Sequence, residues 1–389
     1  MQKILTCILV SWFCLATAYG QQKYLVNITV QDSSGFKQPA KIFAAGNFNG
    51  WNPAATALQY DAVKQVWLLN MELPAENYEF KFTRGSWEKV QCKKDGSDVQ
   101  NNRFVVNTDT SFHFTIDAWK DSFEPVAKKH TASNHVTVMD TAFSIPQLHT
   151  TRRIWIYLPA GYATNKKRYP VLYMQDGQNV FDAYTSGFGE WGVDESIDSL
   201  SLQKNISTIV VAIDNGPRRL NEYNPFDNDR FGKGEGKEYV DFLVNNLKPY
   251  IDAHYRTLPD NKHSIIAGSS MGGLISYYAF IMYPQVFGKA GIFSPSFWIA
   301  PQMDSITIGQ ANKINGKLFF YMGGQEGEEN IKDLQSIAEK LATRSSGLIY
   351  TVIDAGGRHN EEAWQKWFPE FFRWIMADWT NYAIDLKDN

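Results

Sequence analysis

The chain has 389 residues, enough for two domains or one large one. Its composition, 44% hydrophobic and 20% charged, is ordinary for a globular protein with a sizeable core. A net charge of −3 without basic runs argues against nucleic-acid binding.

Residues 1–20 predict a cleaved signal peptide. Lys3 supplies a basic start, residues 4–18 are apolar, and Ala18 and Gly20 are the small residues of a cleavage site before Gln21. The apolar stretch is too short for a transmembrane helix, and no other stretch is apolar enough to span a membrane. A secreted or periplasmic location is therefore expected. Cleavage would leave Cys92 alone, so no intrachain disulfide is expected.

Residues 21–120 predict an all-β first domain. Short apolar or alternating stretches separated by turn residues occur at residues 26–30, 41–45, 65–71, 77–83, 103–106 and 112–116. No helical pattern interrupts them. This spacing is typical of an antiparallel, immunoglobulin-like β-sandwich.

Four motifs in this domain resemble the starch- and glycogen-binding carbohydrate-binding modules: GNFNGW at 46–51, YEFKF at 78–82, GSW at 85–87 and NNR at 101–103. The resemblance implies that Trp51 and Trp87 stack on glucose rings. It also implies that Lys81 and either Asn101 or Asn102 bind sugar hydroxyls. A flat aromatic face suits the apolar face of a pyranose ring. The alternative is a docking domain that has kept the sandwich without affinity for sugar.

Residues 121–134 are polar and predict a linker, and residues 135–389 predict an α/β domain. Apolar strands are expected at 136–139, 152–158, 171–174, 209–213, 265–267, 290–293, 317–322 and 348–353, and helices at 236–250, 274–280, 331–341 and 361–379. Such alternation favours a mostly parallel sheet covered on both faces. Two leading strands followed by βα units are the order of an α/β-hydrolase.

Residues 268–272 match G-x-S-x-G between a predicted strand and a predicted helix. Small residues let the backbone pass close to itself in a sharp turn, which would expose Ser270 as a nucleophile. The backbone N–H of Met271 would then face the group that Ser270 attacks. The alternative is a Gly/Ser turn that only packs a helix on a sheet.

An acid and a histidine should follow such a nucleophile, each on a loop after a strand. Glu326 and His359 occupy those places, with Glu328, Glu329 and Asp354 as alternative acids. His359 would accept the proton of Ser270 and then protonate the leaving alkoxide, while Glu326 fixes the imidazole. A second oxyanion donor, besides Met271, is expected from the loop after residues 171–174, at Gly177 or Gln178.

The second domain resembles the esterase family that includes feruloyl esterases, S-formylglutathione hydrolases, mycolyltransferases and siderophore esterases. The motifs are YMQDGQNVF at 173–181, GEWGVD at 189–194, RLNEYNP at 219–225, GSSMGG at 268–273, FSP at 293–295 and HN at 359–360. The resemblance implies Ser270 as nucleophile, His359 as base and Glu326 as acid. Two departures are Ser269, where many relatives carry histidine, and glutamate rather than aspartate as the acid.

These observations favour a secreted serine esterase acting on carbohydrate-linked esters, such as feruloyl or acetyl groups on polysaccharide. One alternative is a siderophore trilactone esterase, for which Arg218, Arg219 and Arg358 could bind a catecholate anion. Another is a non-catalytic sugar-binding protein. Substrate contacts are expected from the loops around four residues: Gln175, Trp191, Glu222 and Trp298. The proposed chemistry needs no metal or cofactor, and the sequence shows no compact ligand cluster.

Overall fold

The computed structural model describes residues 22–35, 41–124, 128–204 and 206–377, so the predicted signal peptide lies outside the described residues. The chain divides into two compact units, Met1–Val126 and Ala127–Asn389. Within the described ranges, no helix has the length and apolar character needed to cross a membrane.

The first unit is all-β. Its strands are β1 (Lys23–Asp32), β2 (Phe43–Gly46), β3 (Thr56–Ala57), β4 (Gln59–Asp61), β5 (Val66–Pro74), β6 (Glu76–Thr83), β7 (Gln91–Cys92), β8 (Asn102–Val106), β9 (Thr110–Ile116) and β10 (Ala118–Trp119). Two four-stranded sheets have the orders β4-β5-β1-β9 and β3-β2-β6-β8, and β7 pairs with β10. All pairs are antiparallel except β1 with β9, which is parallel.

The two four-stranded sheets share one core, which makes this unit a sandwich. Alternate residues of β1, including Val26 and Ile28, are buried in the same cluster as Phe80 of β6. Phe80 meets Phe114 of β9 edge to face, with ring centroids 5.1 Å apart. Period-2 burial thus produces the predicted sandwich. The β1–β9 pair is parallel, so the unit is not purely antiparallel. Strand β8 and the following β9 belong to different sheets, so β9 pairs with β1 instead of with β8.

The second unit is an α/β domain with an eight-stranded sheet of order β11-β12-β14-β13-β15-β16-β17-β18. Its strands are β11 (Val136–Ile145), β12 (Thr150–Tyr157), β13 (Val171–Gln175), β14 (Ile209–Ile213), β15 (Ser264–Ser269), β16 (Lys289–Phe293), β17 (Lys317–Gly323) and β18 (Leu348–Asp354). Only the pairs that include β12 are antiparallel. The predicted α/β-hydrolase order is confirmed.

Helices cover both faces of this sheet. They are α1 (Val193–Lys204), α2 (Arg219–Glu222), α3 (Gly236–Phe242), α4 (Lys248–His254), α5 (Met271–Met282), α6 (Gln302–Gln310), α7 (Glu328–Arg344) and α8 (Glu361–Met376). Alternate residues of β15 enter different cores: Ile266 lies in one, and Ile265 and Ala267 in the other. Burial on both faces explains why the strands read as continuous apolar runs.

Three helices were not predicted from the sequence, namely α1, α2 and α6. In α6 only Met303 and Thr307 are buried, so its apolar periodicity is weak. The predicted helix at 236–250 runs from α3 through a π-helical segment, Leu243–Leu247, into α4.

The described residues at each end of the predicted linker, 121–134, contact one of the two units. Asp121 forms an ion pair with Arg84 in the first unit. In the second unit, His130 Nδ1 lies 2.8 Å from Asp182 Oδ2, and Ser133 N donates to an Asp194 oxygen at 2.6 Å.

Candidate active site

The turn between β15 and α5 has the strained geometry of a nucleophile elbow. Ser270 has φ 57° and ψ −123°, a conformation that is costly for a residue with a Cβ atom. Its N–H donates to Phe293 O at 2.9 Å. A Cβ at Gly268 would lie 2.6 Å from Gly272 O, so the first glycine of the motif is required sterically.

The loops after β17 and β18 bring the predicted acid and base together. Glu326 Oε2 lies 2.7 Å from His359 Nδ1. The glutamate is 4% exposed, whereas the imidazole is partly exposed. A carboxylate at Nδ1 favours the tautomer that carries its proton there and leaves Nε2 as the acceptor.

The alternative acids are engaged elsewhere. Glu328 and Glu329 are exposed and pair with Lys332. Asp354 accepts hydrogen bonds from Lys366 and from Trp367 Nε1. Among the acids that the sequence left open, the geometry therefore favours Glu326.

The loop after β16 contacts both Ser270 and Glu326. Ser296 Oγ lies 3.4 Å from Ser270 Oγ, and Ser294 donates to Glu326 Oε1 at 2.6 Å. Trp364 Nε1 on α8 donates to Ser294 Oγ at 2.9 Å. No sequence pattern predicts a role for these three side chains, although residues 293–295 match a motif of the esterase family.

The predicted oxyanion donors lie on two neighbouring segments. Met271 is the first residue of α5, and Gly177 and Gln178 lie in the 3₁₀ turn Gly177–Asn179, after β13. A Cβ at Gly177 would lie 2.9 Å from backbone atoms of residues 212–214. The turn lies close to the elbow. The residue before the turn, Asp176, approaches Gly272 so closely that a Cβ at Gly272 would lie 2.9 Å from Asp176 Oδ2. The donor roles of Met271, Gly177 and Gln178 stay predictions.

Three of the four predicted substrate-binding residues are internal. Gln175 is 3% exposed, and its Oε1 accepts from Tyr239 OH at 2.5 Å. Trp191 is packed between Phe293 and Trp364, with centroid distances of 4.9 and 5.7 Å.

Glu222 is 1% exposed, and both of its oxygens lie 2.5 Å from Arg152 Nη2. Neighbouring side chains cover Gln175, Trp191 and Glu222, and substrate contact by these three residues stays a prediction. Trp298 differs from them. It is 36% exposed, lies two residues after Ser296, and its ring is 6.0 Å from that of Phe231.

A buried carboxyl that the sequence did not single out adjoins the histidine loop. Glu361 is 7% exposed, and its Oε1 accepts from Asn179 Nδ2 at 3.3 Å. Burial raises the pKa of Glu361 from 4.5 to about 7, and a backbone hydrogen bond and His359 offset part of the rise. The other charged groups that act on it are Asp176, which raises its pKa, and Arg219, which lowers it.

Glu361 is expected to reduce stability as the pH rises. Between pH 4.5 and about 7 the unfolded chain releases this proton while the folded chain retains it. Rising pH therefore stabilises the unfolded state relative to the folded state and lowers the free energy of unfolding. The loss approaches about 3 kcal/mol above pH 7, at ~1.4 kcal/mol per pKa unit. Urea unfolding at pH 5 and pH 8 should show a smaller pH dependence in Glu361→Gln than in the wild type. The exposed neighbour Glu362 provides the control Glu362→Gln. Equal slopes for the wild type and Glu361→Gln would contradict the assignment.

In the first unit, the two predicted sugar-stacking rings meet. Trp51 and Trp87 are both partly exposed, with ring centroids 6.4 Å apart and planes inclined by 35°. Asn101 bonds Glu79, which shares the outer face of β6 with Lys81. Asn102 instead pairs with inward-facing Phe80 and donates to Gln91 Oε1 at 3.2 Å. Asn102 therefore lies on the opposite face of the sheet from Lys81, because side chains alternate along a strand, and its contact with sugar stays a prediction.

Within the part of the chain that the structure describes, no group of three or more His, Cys, Asp or Glu side chains is placed to hold a metal ion.

Comparisons with known proteins agree with this geometry. A family model described as "Putative esterase" matches residues 145–375, more than half of the chain. The chain is 26% identical over 241 residues to the uncharacterized protein YbbA of Bacillus subtilis, covering 58% of this chain and 93% of that protein. It is 25% identical over 237 residues to an endo-1,4-beta-xylanase/feruloyl esterase of Xylanibacter ruminicola, covering 60% of this chain and 30% of that protein.

Two further matches extend the comparison. The chain is 24% identical over 258 residues to an iron(III) enterobactin esterase of Dickeya dadantii, covering 62% of this chain and 55% of that protein. The match therefore spans about half of that esterase and less than a third of the Xylanibacter protein. Among solved structures, the BES protein from Bacillus cereus matches with a TM-score of 0.53 and 17% identity, covering 66% of this chain and all of that one. That likeness shows the fold alone.

Proposed function

Because this chain belongs to the family described as "Putative esterase", we propose that it is a serine esterase that cleaves carbohydrate-linked carboxylic esters. The observation that carries the proposal is the 2.7 Å contact between Glu326 and His359. The loop after β16 connects this pair to the strained elbow that presents Ser270. A buried carboxylate, an imidazole and a serine at such an elbow form the arrangement used for acyl transfer.

The proposed reaction proceeds through an acyl-enzyme. Ser270 Oγ attacks the ester carbonyl carbon while His359 Nε2 accepts the hydroxyl proton. The bond to the alcohol oxygen breaks, and His359 returns the proton to that alkoxide. Water then attacks the acyl carbon while His359 accepts its proton, the bond to Ser270 Oγ breaks, and His359 returns the proton to Ser270 as the acid is released. Backbone N–H groups of Met271 and of Gly177 or Gln178 are the proposed donors to the oxyanion.

An aromatic acyl group is the preferred substrate class. Trp298 is exposed two residues after Ser296, whose hydroxyl lies 3.4 Å from that of Ser270. Phe231 extends this aromatic surface. A feruloyl ring could stack there, and the Xylanibacter relative is named as a feruloyl esterase.

Siderophore hydrolysis is the second candidate function, and exposed Arg358, beside His359, favours it. The other two arginines weigh against it. Arg219 binds both oxygens of Asp176, at 2.6 and 2.7 Å, and Arg218 donates to Glu235 at 2.6 Å. Cations committed to protein carboxylates are less able to bind a triscatecholate.

The deciding experiment compares kcat/KM for methyl ferulate, acetylated xylan and a catecholate trilactone. Methyl ferulate is expected to be hydrolysed fastest. Preference for acetylated xylan would support the proposal of carbohydrate-linked esters but contradict the preference for an aromatic acyl group. Preference for the trilactone would support the siderophore alternative. Hydrolysis of none of them, together with no labelling of Ser270 by a fluorophosphonate, would overturn the esterase proposal.

We also propose that Trp51 and Trp87 bind a polysaccharide by stacking on its sugar rings. Either Trp51→Ala or Trp87→Ala should weaken binding about tenfold, since a lost aromatic contact of ~1.5 kcal/mol is one decade. Affinity electrophoresis of the full chain in starch, glycogen and xylan gels measures this. Trp67→Ala is the matched control, because that partly buried tryptophan lies on β5 in the other sheet. Unretarded mobility of the wild type in all three gels would remove the proposal.

A further inference from the structure

Ser294 lies between an indole and the predicted catalytic acid. Its hydroxyl oxygen accepts from Trp364 Nε1 at 2.9 Å and its hydroxyl donates to Glu326 Oε1 at 2.6 Å. All three side chains are buried, with exposed fractions of 1% for Ser294 and 4% for both Trp364 and Glu326.

The direction of these hydrogen bonds follows from chemistry. An indole N–H can only donate and an ionised carboxylate can only accept, whereas a hydroxyl does both. The Ser294 oxygen therefore accepts the hydrogen bond from Trp364 Nε1, and its own O–H donates to Glu326. The series of hydrogen bonds therefore runs from Trp364 through Ser294 and Glu326 to His359.

Both oxygens of Glu326 are engaged by this arrangement. Oε1 accepts from Ser294 Oγ and from Gly323 N at 2.7 Å, and Oε2 faces His359 Nδ1. Two donors on one oxygen fix the rotation of the carboxylate, which aims the other oxygen at the imidazole. Trp364 also restricts the orientation of the His359 imidazole, since the two rings meet edge to face with centroids 5.2 Å apart.

The backbone is bent to place this hydroxyl. Ser294 has φ 45°, a region that favours glycine, and its N–H donates to Tyr321 O at 2.7 Å. A non-glycine residue held there costs about 1–3 kcal/mol, a cost that proteins commonly bear at functional sites. The hydroxyl is what serine provides here and glycine could not.

We propose that Ser294 and Trp364 are positioning residues that hold Glu326 in the orientation needed to align His359. This inference rests on the proposed esterase function and deepens it. Neither side chain is assigned a contact with substrate. Their loss should lower kcat and leave KM nearly unchanged.

The first test is the kinetics of Ser294→Ala and Trp364→Phe in the full chain with a nitrophenyl ester. Each should lower kcat on the order of tenfold or more, the size of effect known for hydrogen-bond partners that orient metal-ligating side chains, with KM within about twofold of the wild type. Ser294→Cys, which keeps a weak donor, should restore part of kcat. Ser276→Ala is the matched control, because Ser276 is also buried and its hydroxyl has no hydrogen-bond partner among the described residues.

Ser294→Gly separates catalysis from folding. Glycine suits the positive φ, so this variant should unfold at a temperature equal to or above that of Ser294→Ala. Its kcat should be as low as that of Ser294→Ala, because both variants lack the hydroxyl. If Ser294→Ala fails to fold, the kcat of Ser294→Gly and Trp364→Phe decides the proposal.

A double-mutant cycle with Glu326→Ala tests whether Ser294 acts through the acid. Ser294→Ala should have no further effect on kcat once Glu326 is alanine, because the interaction it supports is gone. An equal loss in both backgrounds, or wild-type kcat in Ser294→Ala, would overturn the inference. Failure of the esterase function is distinguishable, since Ser270→Ala would then keep the activity of the wild type.

Discussion

Replacing Ser270 with alanine is expected to lower kcat/KM for ester hydrolysis by at least about 10⁴-fold, because the attacking oxygen is removed. The backbone donors and the His359–Glu326 pair remain, so a small residual rate above that in water is expected. Initial rates with a nitrophenyl ester, measured at equal concentrations of folded protein, give the ratio.

The control for this variant is Ser276→Ala, which removes a buried hydroxyl on the following helix α5. It should retain wild-type kcat/KM. Labelling with a fluorophosphonate should modify the wild type at Ser270 and leave Ser270→Ala unmodified. An active Ser270→Ala that still takes the label would show that another residue is the nucleophile.

Replacing Glu222 with alanine is expected to destabilise the second unit by about 3–5 kcal/mol, because it leaves a buried guanidinium unpaired. Arg152 is 7% exposed, and its Nη2 contacts both oxygens of Glu222. Urea unfolding measures the loss. The KM of the folded fraction should stay near that of the wild type, since the carboxylate is internal.

Two controls isolate the buried pair. Arg152→Met combined with Glu222→Leu should recover most of the lost stability, because apolar residues of similar volume need no charge partner. Glu328→Ala, at an exposed pair with Lys332, should change stability by under about 1 kcal/mol. A Glu222→Ala variant of normal stability with a raised KM would support the prediction that Glu222 contacts the substrate.

The three proposed catalytic residues could be identified from the sequence because their signals are local. Ser270, Glu326 and His359 each follow an apolar run that predicts a buried strand. The carboxyl ends of parallel strands meet at one edge of a sheet, so residues far apart in the chain could be grouped before any coordinates were known. The first unit was predictable for a similar reason, because period-2 alternation needs only neighbouring residues.

The role of each remaining side chain depends on which distant segment covers it. Trp191 and Glu222 lie in motif stretches beside the site, yet Trp364 and Arg152 enclose them, while Trp298 stays exposed. The chain order alone establishes the strand–helix sequence, the elbow and the order of acid and histidine. The tertiary structure selects Glu326 among four acids, turns Asn102 inward and joins Trp364 through Ser294 to the acid. Local periodicity specifies the face of an element, and only packing between elements specifies what lies against that face.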